Sequence, residues 1–91
     1  MKYTIDYTAK FKNSVKKCTK RGLDVSLLWD VVGILAENGK LPAKYKAHKL
    51  SGDYSGCWEC HIKPDWLLIW QQKDKELILL FLNTGTHSDL F

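Results

Sequence analysis

The fold is decided by residues 57–82, which read CWECHIKPDWLLIWQQKDKELILLFL. Apolar residues dominate three segments of this stretch, and the last two are almost wholly apolar, as expected of strands that are covered on both faces. Pro64 and the charged residues between the segments favour short turns, because proline fixes φ and removes a backbone donor. The pattern therefore predicts three consecutive antiparallel strands, over residues 57–62, 66–70 and 77–82.

The first half of the chain predicts one strand followed by two helices. Apolar and polar residues alternate over residues 2–7, which is typical of a half-buried strand. Apolar residues then recur at helical spacing in two segments. The first helix is predicted to begin after Thr8 and to end at Gly22. The second is predicted to begin after Asp24 and to end at Gly39, and the short link between the helices favours an antiparallel pair.

The predicted order of elements is β-α-α-β-β-β, with residues 40–49 as a loop and residues 87–91 as a short tail. This order predicts an α+β fold in which two N-terminal antiparallel helices pack on an antiparallel β-sheet. The length fits a single domain over residues 1–91. A hydrophobic content of 45% and a charged content of 26% are ordinary for a globular protein and argue against a disordered chain.

Membrane and export signals are not found in the sequence. No apolar stretch approaches the roughly 20 residues that a membrane-spanning helix needs. Residues 1–6 lack the apolar run of a signal peptide. The three cysteines are an odd number and do not suggest the disulfide scaffold of a secreted protein. We therefore expect a cytoplasmic protein with no membrane partner.

The basic residues are concentrated in the first half of the chain. Residues 1–50 contain eleven Lys and Arg against four Asp and Glu, whereas residues 51–91 contain three against six. A basic half indicates an anionic partner, which is either a nucleic acid or an acidic protein. The alternative is a solvated lysine face that has no partner.

The segment Cys57-Trp58-Glu59-Cys60-His61 has the form of a haem-attachment or metal-binding motif. Alternate side chains of a strand point to opposite faces, so Cys57 and Cys60 would not chelate one ion together. We therefore interpret them as buried structural thiols and expect no metal and no cofactor. A small metal- or haem-binding protein that uses Cys57, Cys60 and His61 is the alternative hypothesis.

Three histidines, His48, His61 and His87, lie outside the predicted helices, and Asp65 closely follows His61. Imidazole titrates near neutral pH, so such a set can transfer protons. RNA cleavage would use it: a base removes the 2′-OH proton, this oxygen attacks the phosphate, and an acid protonates the leaving 5′ oxygen. That route requires no metal. The alternative is that the histidines are structural or simply exposed.

Two further features have both a binding interpretation and a structural one. Residues 83–86, Asn83-Thr84-Gly85-Thr86, could present backbone N–H groups to a phosphate, or they could simply end the last strand in a turn. Phe91 could stack on an RNA base or dock on the protein itself. Trp66 and Trp70 lie in an apolar strand and are predicted to pack in the core.

Three motifs stand in order along the second half of the chain. They are H-x-L-x-G at residues 48–52, H-I-x-P-D-W at residues 61–66 and T-G-T-H-x-x-L-F at residues 84–91. Together they resemble the YafQ-like branch of the RelE/ParE toxin superfamily, and the likeness covers essentially the whole chain. The resemblance implies a small antiparallel sheet that carries two helices. It also implies a toxin of a type II toxin–antitoxin pair, a ribosome-dependent endoribonuclease that cuts mRNA in the ribosomal A site.

The resemblance also implies roles for individual residues. The implied active site comprises His48, His61, Asp65, Trp66, His87 and Phe91. His87 would be the general acid, and either His48 or His61 would be the base. Asp65 would orient or charge a neighbouring imidazole, Phe91 would position an RNA base, and Trp66 would support the site. The residues implied to bind the substrate are Lys46, Lys49, Lys63, Trp66, Asn83, Thr84 and Phe91.

The chain departs from the family pattern at two positions. Relatives often carry Arg where Asn83 and Trp58 stand, and neither residue supplies a charge that can hold a phosphate. Lys46, Lys49 or Lys63 would then act as point charges instead. The alternative function is a catalytically weak or inactive binding module of the same fold, which acts only as antitoxin partner and co-repressor.

The partners implied by the resemblance are anionic. Helix lysines would contact ribosomal RNA phosphates, with mRNA as the substrate. An acidic segment of a cognate antitoxin would fold on the same basic surface. Operator DNA would be reached only through that antitoxin, because the chain has no DNA-recognition motif of its own.

Overall fold

The computed structural model describes residues 2–91. The strands are β1 (Thr4–Tyr7), β2 (His48–Lys49), β3 (Trp58–Lys63), β4 (Trp66–Lys73) and β5 (Ile78–Gly85). The helices are α1 (Ala9–Lys20), α2 (Val25–Asn38) and α3 (His87–Leu90). Short 3₁₀ turns lie at Ala43–Tyr45 and Gly52–Tyr54. None of the helices in this described part of the chain is long and apolar enough to cross a membrane.

The strands form one sheet in the order β1-β5-β4-β3-β2. β3, β4 and β5 are antiparallel neighbours, as the pattern of residues 57–82 predicts, and the predicted α+β fold is confirmed. The prediction of a wholly antiparallel sheet is wrong at β1, which pairs with β5 in parallel and places Thr4 opposite Ile78. The alternation that identifies β1 carries no information on strand direction, and the chain between β1 and β5 supplies the long connection that parallel neighbours require.

Two elements lie in segments that the sequence pattern assigns to a loop and a tail. β2 pairs with β3, with His48 opposite Glu59. α3 occupies the predicted tail and begins with a capping box, in which the side chains of Thr86 and Asp89 each accept from the other's backbone N–H. β2 has two residues and α3 has four, so neither is long enough to show a hydrophobic period.

β5 continues through residues 83–85, which the sequence pattern assigns to a turn. Thr84 is opposite Leu68 and Gly85 is opposite Leu67 in the ladder with β4. Polar side chains end the apolar run but not the ladder, because strand pairing uses backbone groups and does not depend on hydropathy. The predicted turn at residues 83–86 is therefore corrected to a strand end followed by the Thr86 cap.

The predicted helix starts are confirmed by their caps. The Thr8 hydroxyl oxygen accepts from the backbone N–H of Phe11, and the Asp24 carboxylate caps α2 in a similar way. Gly39 ends α2 in the left-handed conformation, with φ of 67°. A Cβ at this position would lie 2.5 Å from the Tyr3 hydroxyl oxygen, so glycine is required both by conformation and by space.

α1 and α2 cover one face of the sheet and enclose the larger hydrophobic core. Trp70, Phe81 and Phe11 are the largest of its fully buried side chains. Trp66 is also buried there, so both tryptophans of β4 lie in the core as predicted. A smaller cluster on the other face comprises Cys57, Leu67, Ile69 and Leu90. That face is only partly covered, and the candidate site lies on it.

We expect Phe81→Ala to lower the free energy of unfolding by about 3–5 kcal/mol, because it removes a fully buried ring that packs against Tyr7 and Phe11. Leu80→Ala is the matched control, since Leu80 precedes Phe81 on β5, is only half-buried and should lose less. Urea unfolding followed by tryptophan fluorescence measures both. Equal losses would contradict the assignment of the main core to the helix-covered face.

Candidate active site

The three histidines of the sequence motifs lie in one row. His48 is in β2, His61 is in β3 and His87 begins α3. The ring centroids are 6.4 Å apart for His48 and His61, and 5.8 Å apart for His61 and His87. Cys60 packs in the helix-covered core, so alternation along β3 directs His61 to the opposite face of the sheet. The fold thus brings together three imidazoles that are far apart in the chain.

His87 is held by Asp65, which lies in the turn between β3 and β4. Nδ1 of His87 is 2.6 Å from Oδ1 of Asp65, and the backbone N–H of His87 donates to the same oxygen over 2.9 Å. The backbone hydrogen bond, followed by the side-chain one, lowers the pKa of Asp65 below its ordinary value. An ionised carboxylate only accepts, so Nδ1 of His87 carries a proton and its Nε2 is left for chemistry.

α3 is fixed to the body of the protein by an ion pair. Both terminal nitrogens of the Arg21 guanidinium donate to the Asp89 carboxylate, which ties α3 to the end of α1. The hydrogen bond from Arg21 holds the pKa of Asp89 far below its ordinary value. Gly85 precedes α3 with φ of 155°, and a Cβ there would lie 2.7 Å from Oδ2 of Asp89. Glycine therefore allows α3 to pack closely against the end of β5.

His48 has an acceptor at each ring nitrogen. Its Nδ1 lies 2.9 Å from the carbonyl oxygen of Lys46, and its Nε2 lies 3.3 Å from Oε1 of Glu59. A carbonyl and a carboxylate both accept, so this geometry suits a doubly protonated, cationic ring. In that state His48 has no lone pair with which to take a proton.

Glu59 joins the site although no motif singles it out. It is 5% exposed, and its Oε2 has no hydrogen-bond partner within residues 2–91. The negative charge of a buried carboxylate needs a nearby positive charge, and His48 is positioned to supply one when its ring is doubly protonated. Strand alternation is the signal that could have found Glu59, because it lies two residues before His61 and therefore shares its face.

His61 presents a ring nitrogen that can accept a proton. Its Nδ1 lies 3.3 Å from the carbonyl oxygen of Pro64, so Nδ1 is the donor and Nε2 is the acceptor. Nε2 has no hydrogen-bond partner among the described residues. A shallow cavity of about 280 Å³ beside His61 is bordered by Lys44, Lys46 and Lys63, which make its border positively charged.

Phe91 at the edge of the site and Trp58 on the helix-covered face of β3 each contact a neighbouring aromatic ring. Phe91 is 66% exposed, and its ring meets that of Tyr54 edge to face, with centroids 5.6 Å apart. Trp58 stacks on Trp70 in the core. The ammonium group of Lys49 lies 5.7 Å from the Trp58 ring centroid, so a cation lies beside the neutral side chain of Trp58.

Trp66, Asn83 and Thr84 are buried, with 2–4% of their surface exposed. Nε1 of Trp66 donates to the Thr84 hydroxyl, which donates to the carbonyl oxygen of Leu67. The carboxamide oxygen of Asn83 accepts from the Ser14 hydroxyl of α1. Burial leaves these residues almost no surface at the histidine row, and their expected contact with a substrate stays a prediction. They join β4, β5 and α1 beneath the site.

The two cysteines of the C-x-x-C-H segment lie on opposite faces of the sheet, as alternation predicts. Cys60 packs in the helix-covered core and Cys57 packs in the smaller cluster, so they do not bind one ion together. Burial raises the pKa of the Cys60 thiol to about 12, which keeps it neutral at physiological pH. No group of three or more His, Cys, Asp or Glu side chains in residues 2–91 is arranged to hold a metal ion.

The whole chain is similar to bacterial toxins. The family model for the bacterial toxin of type II toxin–antitoxin system, YafQ, matches residues 3–91. The mRNA interferase toxin YafQ of Escherichia coli strain K12 is 40% identical over 88 residues, which cover 96% of this chain and 94% of that protein.

Solved structures of such toxins have the same fold. The toxin in the crystal structure of the E. coli DinJ-YafQ toxin–antitoxin complex matches with a TM-score of 0.90 and 37% identity, over 100% of this chain and 99% of that one. The crystal structure of a metal-bound toxin from Helicobacter pylori matches with a TM-score of 0.88 and 44% identity, over 98% of this chain and 99% of that one.

We expect His87→Ala to raise the pKa of Asp65 but to leave it below the ordinary value of about 4. The substitution removes the side-chain hydrogen bond, whereas the backbone N–H of residue 87, the larger cause of the shift, still donates. A carbon-13 NMR titration of the Asp65 carboxyl group measures this. His48→Ala is the control and should leave Asp65 unchanged. A full return to the ordinary value in His87→Ala would show that the backbone hydrogen bond contributes nothing.

Proposed function

We propose that this chain, which belongs to the YafQ family of bacterial type II toxins, is an mRNA interferase that an antitoxin keeps inactive. It acts as an endoribonuclease on mRNA in the ribosomal A site and so inhibits translation. The observation that carries the proposal is the row of three imidazoles, with the Asp65–His87 pair at one end. Such a row can deliver a base and an acid to the two sides of one phosphodiester.

His87 is the general acid in the proposed reaction. Asp65 accepts from Nδ1 of His87 and stabilises the protonated ring, so Nε2–H is the proton that can be given away. This proton goes to the 5′ oxygen as it leaves the phosphorus. The capped and ion-paired α3 helix keeps the ring in place, which matters because small displacements of a catalytic group cost much of the rate.

His61, rather than His48, is the base in this proposal. Its Nε2 has no partner among the described residues, and its Nδ1 is oriented by Pro64. It removes the 2′-OH proton, and the oxygen then attacks the adjacent phosphate. The ring centroids of His61 and His87 are 5.8 Å apart, so both can reach the same phosphate.

His48 contributes charge rather than proton transfer in this proposal. In its doubly protonated form, His48 donates to Glu59 and to the Lys46 carbonyl beside His61. Together with Lys46 and Lys63, which border the neighbouring cavity, it stabilises the negative charge that develops on the phosphate. These groups take the place of the arginines that the family resemblance implies at positions 58 and 83. No metal is needed at any of these steps.

The ribosome supplies the positioning that the site lacks. Both His87 and Asp65 are more than half exposed, and the cavity beside His61 is shallow, so free RNA is weakly oriented. Lysines of α1 provide a basic surface for ribosomal RNA, which makes binding dependent on salt. The reaction therefore takes place in the cytoplasm, on mRNA that the ribosome already holds.

The same basic surface suits the antitoxin. A toxin of this family is known in complex with DinJ from E. coli. We propose that a cognate antitoxin of this chain carries an acidic segment that folds on the lysine-rich half. Operator DNA is bound by the antitoxin, and the toxin joins that complex as co-repressor.

A binding module without catalysis is the second candidate, and one observation favours it. Trp58 and Asn83 are neutral, and Trp58 stacks in the core while Asn83 bonds to α1. Neither reaches a phosphate at the histidine row. The cleavage assay below decides between the two candidates, because a binding module would reach the ribosome without cutting mRNA.

We expect His87→Ala and His61→Ala each to slow cleavage on translating ribosomes by about 10²–10⁴-fold, since each removes a proton-transfer group. Primer extension on the mRNA maps the cuts and gives their rates. Lys75→Ala, in the exposed β4–β5 turn, is the control and should cleave normally. Normal cleavage by His87→Ala would disprove the acid assignment, and no cleavage by the parent protein would favour the binding module.

The pH profile separates the two candidate bases. We expect a bell-shaped profile for the parent protein, and His61→Ala should lose the limb on the acidic side. His48→Ala should be slower but should keep both limbs, because His48 supplies charge and not a lone pair. The opposite pattern would make His48 the base. Single-turnover rates on pre-bound ribosomes measure this without interference from binding.

Removal of transition metals should leave the activity unchanged. We expect toxin that has been treated with a chelator, desalted and added to ribosomes in their usual magnesium buffer to cleave at the untreated rate. Added Zn²⁺ or Cu²⁺ should inhibit, because a metal on an imidazole nitrogen prevents proton transfer there. Loss of cleavage after chelation that Zn²⁺ or Cu²⁺ restores would contradict the metal-independent route. A metal-bound relative from H. pylori makes this test worthwhile.

A further inference from the structure

A second cavity, of about 420 Å³, lies between α1, the end of β5 and α3. Its polar wall includes Lys10, Ser14, Lys17, Arg21 and Asn83, and the carboxylic acid Asp89 also borders it. Lys10, Ser14 and Lys17 belong to α1, and Arg21 caps its C-terminal end. Spacings of four, three and four positions place them in one stripe along the helix. None of the three histidines borders this cavity.

The charge of this cavity is not compensated. Arg21 pairs with Asp89, whereas Lys10 and Lys17 form no ion pair within residues 2–91. Two lysines that border this concave surface therefore have no anionic partner among the described residues. A concave surface concentrates the electric field of the positive charges that border it, and this strengthens the attraction of an anionic ligand.

Asn83 adds an oriented donor. Its Oδ1 accepts from the backbone N–H of Thr84, a group that can only donate, and also from the Ser14 hydroxyl. These two contacts establish which atom of the Asn83 carboxamide is the oxygen. The other atom, the Nδ2 amino group, has no protein partner among the described residues. Asn83 is 4% exposed and its remaining surface borders the cavity, so the amino group is a donor for whatever enters.

We propose that this cavity binds a backbone phosphate of RNA, as a subsite separate from the histidine row; the proposal rests on the proposed function. Ammonium groups and an amide donor suit a phosphate, which offers several acceptor oxygens. Thr84 and Asp89 border the cavity, and His87 lies between them in the chain at the start of α3. RNA that is held at His87 can therefore run past α3 into the cavity.

The subsite contributes binding and not chemistry. We expect Lys10→Gln/Lys17→Gln to raise the KM for programmed ribosomes roughly tenfold with little change in kcat. The slope of log affinity against log salt should fall by about 1, as for one lost phosphate contact. Lys12→Gln/Lys16→Gln is the matched control, because it removes the same charge from the opposite side of α1 and should show a clearly smaller effect.

An NMR titration with inorganic phosphate tests the site without relying on activity. In the parent protein we expect shifts of the Asn83 side-chain amide and of the Lys17 backbone amide. The control variant should keep these shifts and the cavity variant should lose them. A thermal melt confirms that both variants are folded.

Three outcomes would overturn the proposal. They are equal KM increases in the two variants, an unchanged KM in the cavity variant, or phosphate shifts that survive in it. A cavity variant that binds the antitoxin more weakly but ribosomes normally would assign the cavity to an acidic protein segment instead. If the parent protein does not cut mRNA, the proposed function fails, but the phosphate titration and ribosome affinity still decide whether the cavity binds phosphate.

Discussion

Burial of one sheet face under α1 and α2 is the constraint on which the rest of the structure depends. Phe11, Trp70 and Phe81 occupy that interface, and residues 2–91 contain no further helix of comparable length to cover the other face. The second face is therefore closed only by a small cluster around Leu67 and by the short α3 helix. Polar and titratable side chains can remain accessible there while the fold stays stable.

Strand pairing, a turn and a helix cap bring side chains from distant parts of the chain together in the site. Pairing of β2 with β3 places His48 opposite Glu59, and alternation along β3 brings His61 to the same face. The β3–β4 turn supplies Asp65, and a single capped turn of helix supplies His87. Hydrogen bonding then differentiates three chemically identical rings, because each faces a different set of acceptors.

Much of this architecture could be predicted from the sequence, and the failures have physical causes. The apolar runs predict the central meander, and Thr8, Asp24 and Gly39 mark the helix boundaries. Direction of β1 could not be predicted, since alternation is the same in parallel and antiparallel strands. The sequence motifs identify the histidines. Glu59 can be assigned to the site only once it is known which side chains of β3 share the face of His61. Asn83 accepts a hydrogen bond from Ser14, and no local sequence pattern predicts this contact.

The parallel pairing of β1 with β5 also affects the order of folding. Thr4 lies opposite Ile78, so the pairing must close a loop of more than seventy residues. The entropic cost of such a closure is moderate, but contacts between distant residues slow the folding reaction. α1 and α2 depend on local contacts and can form early, whereas the sheet edge is completed late. We expect a newly made chain to present the lysine-rich α1 helix before β1 is paired in the sheet.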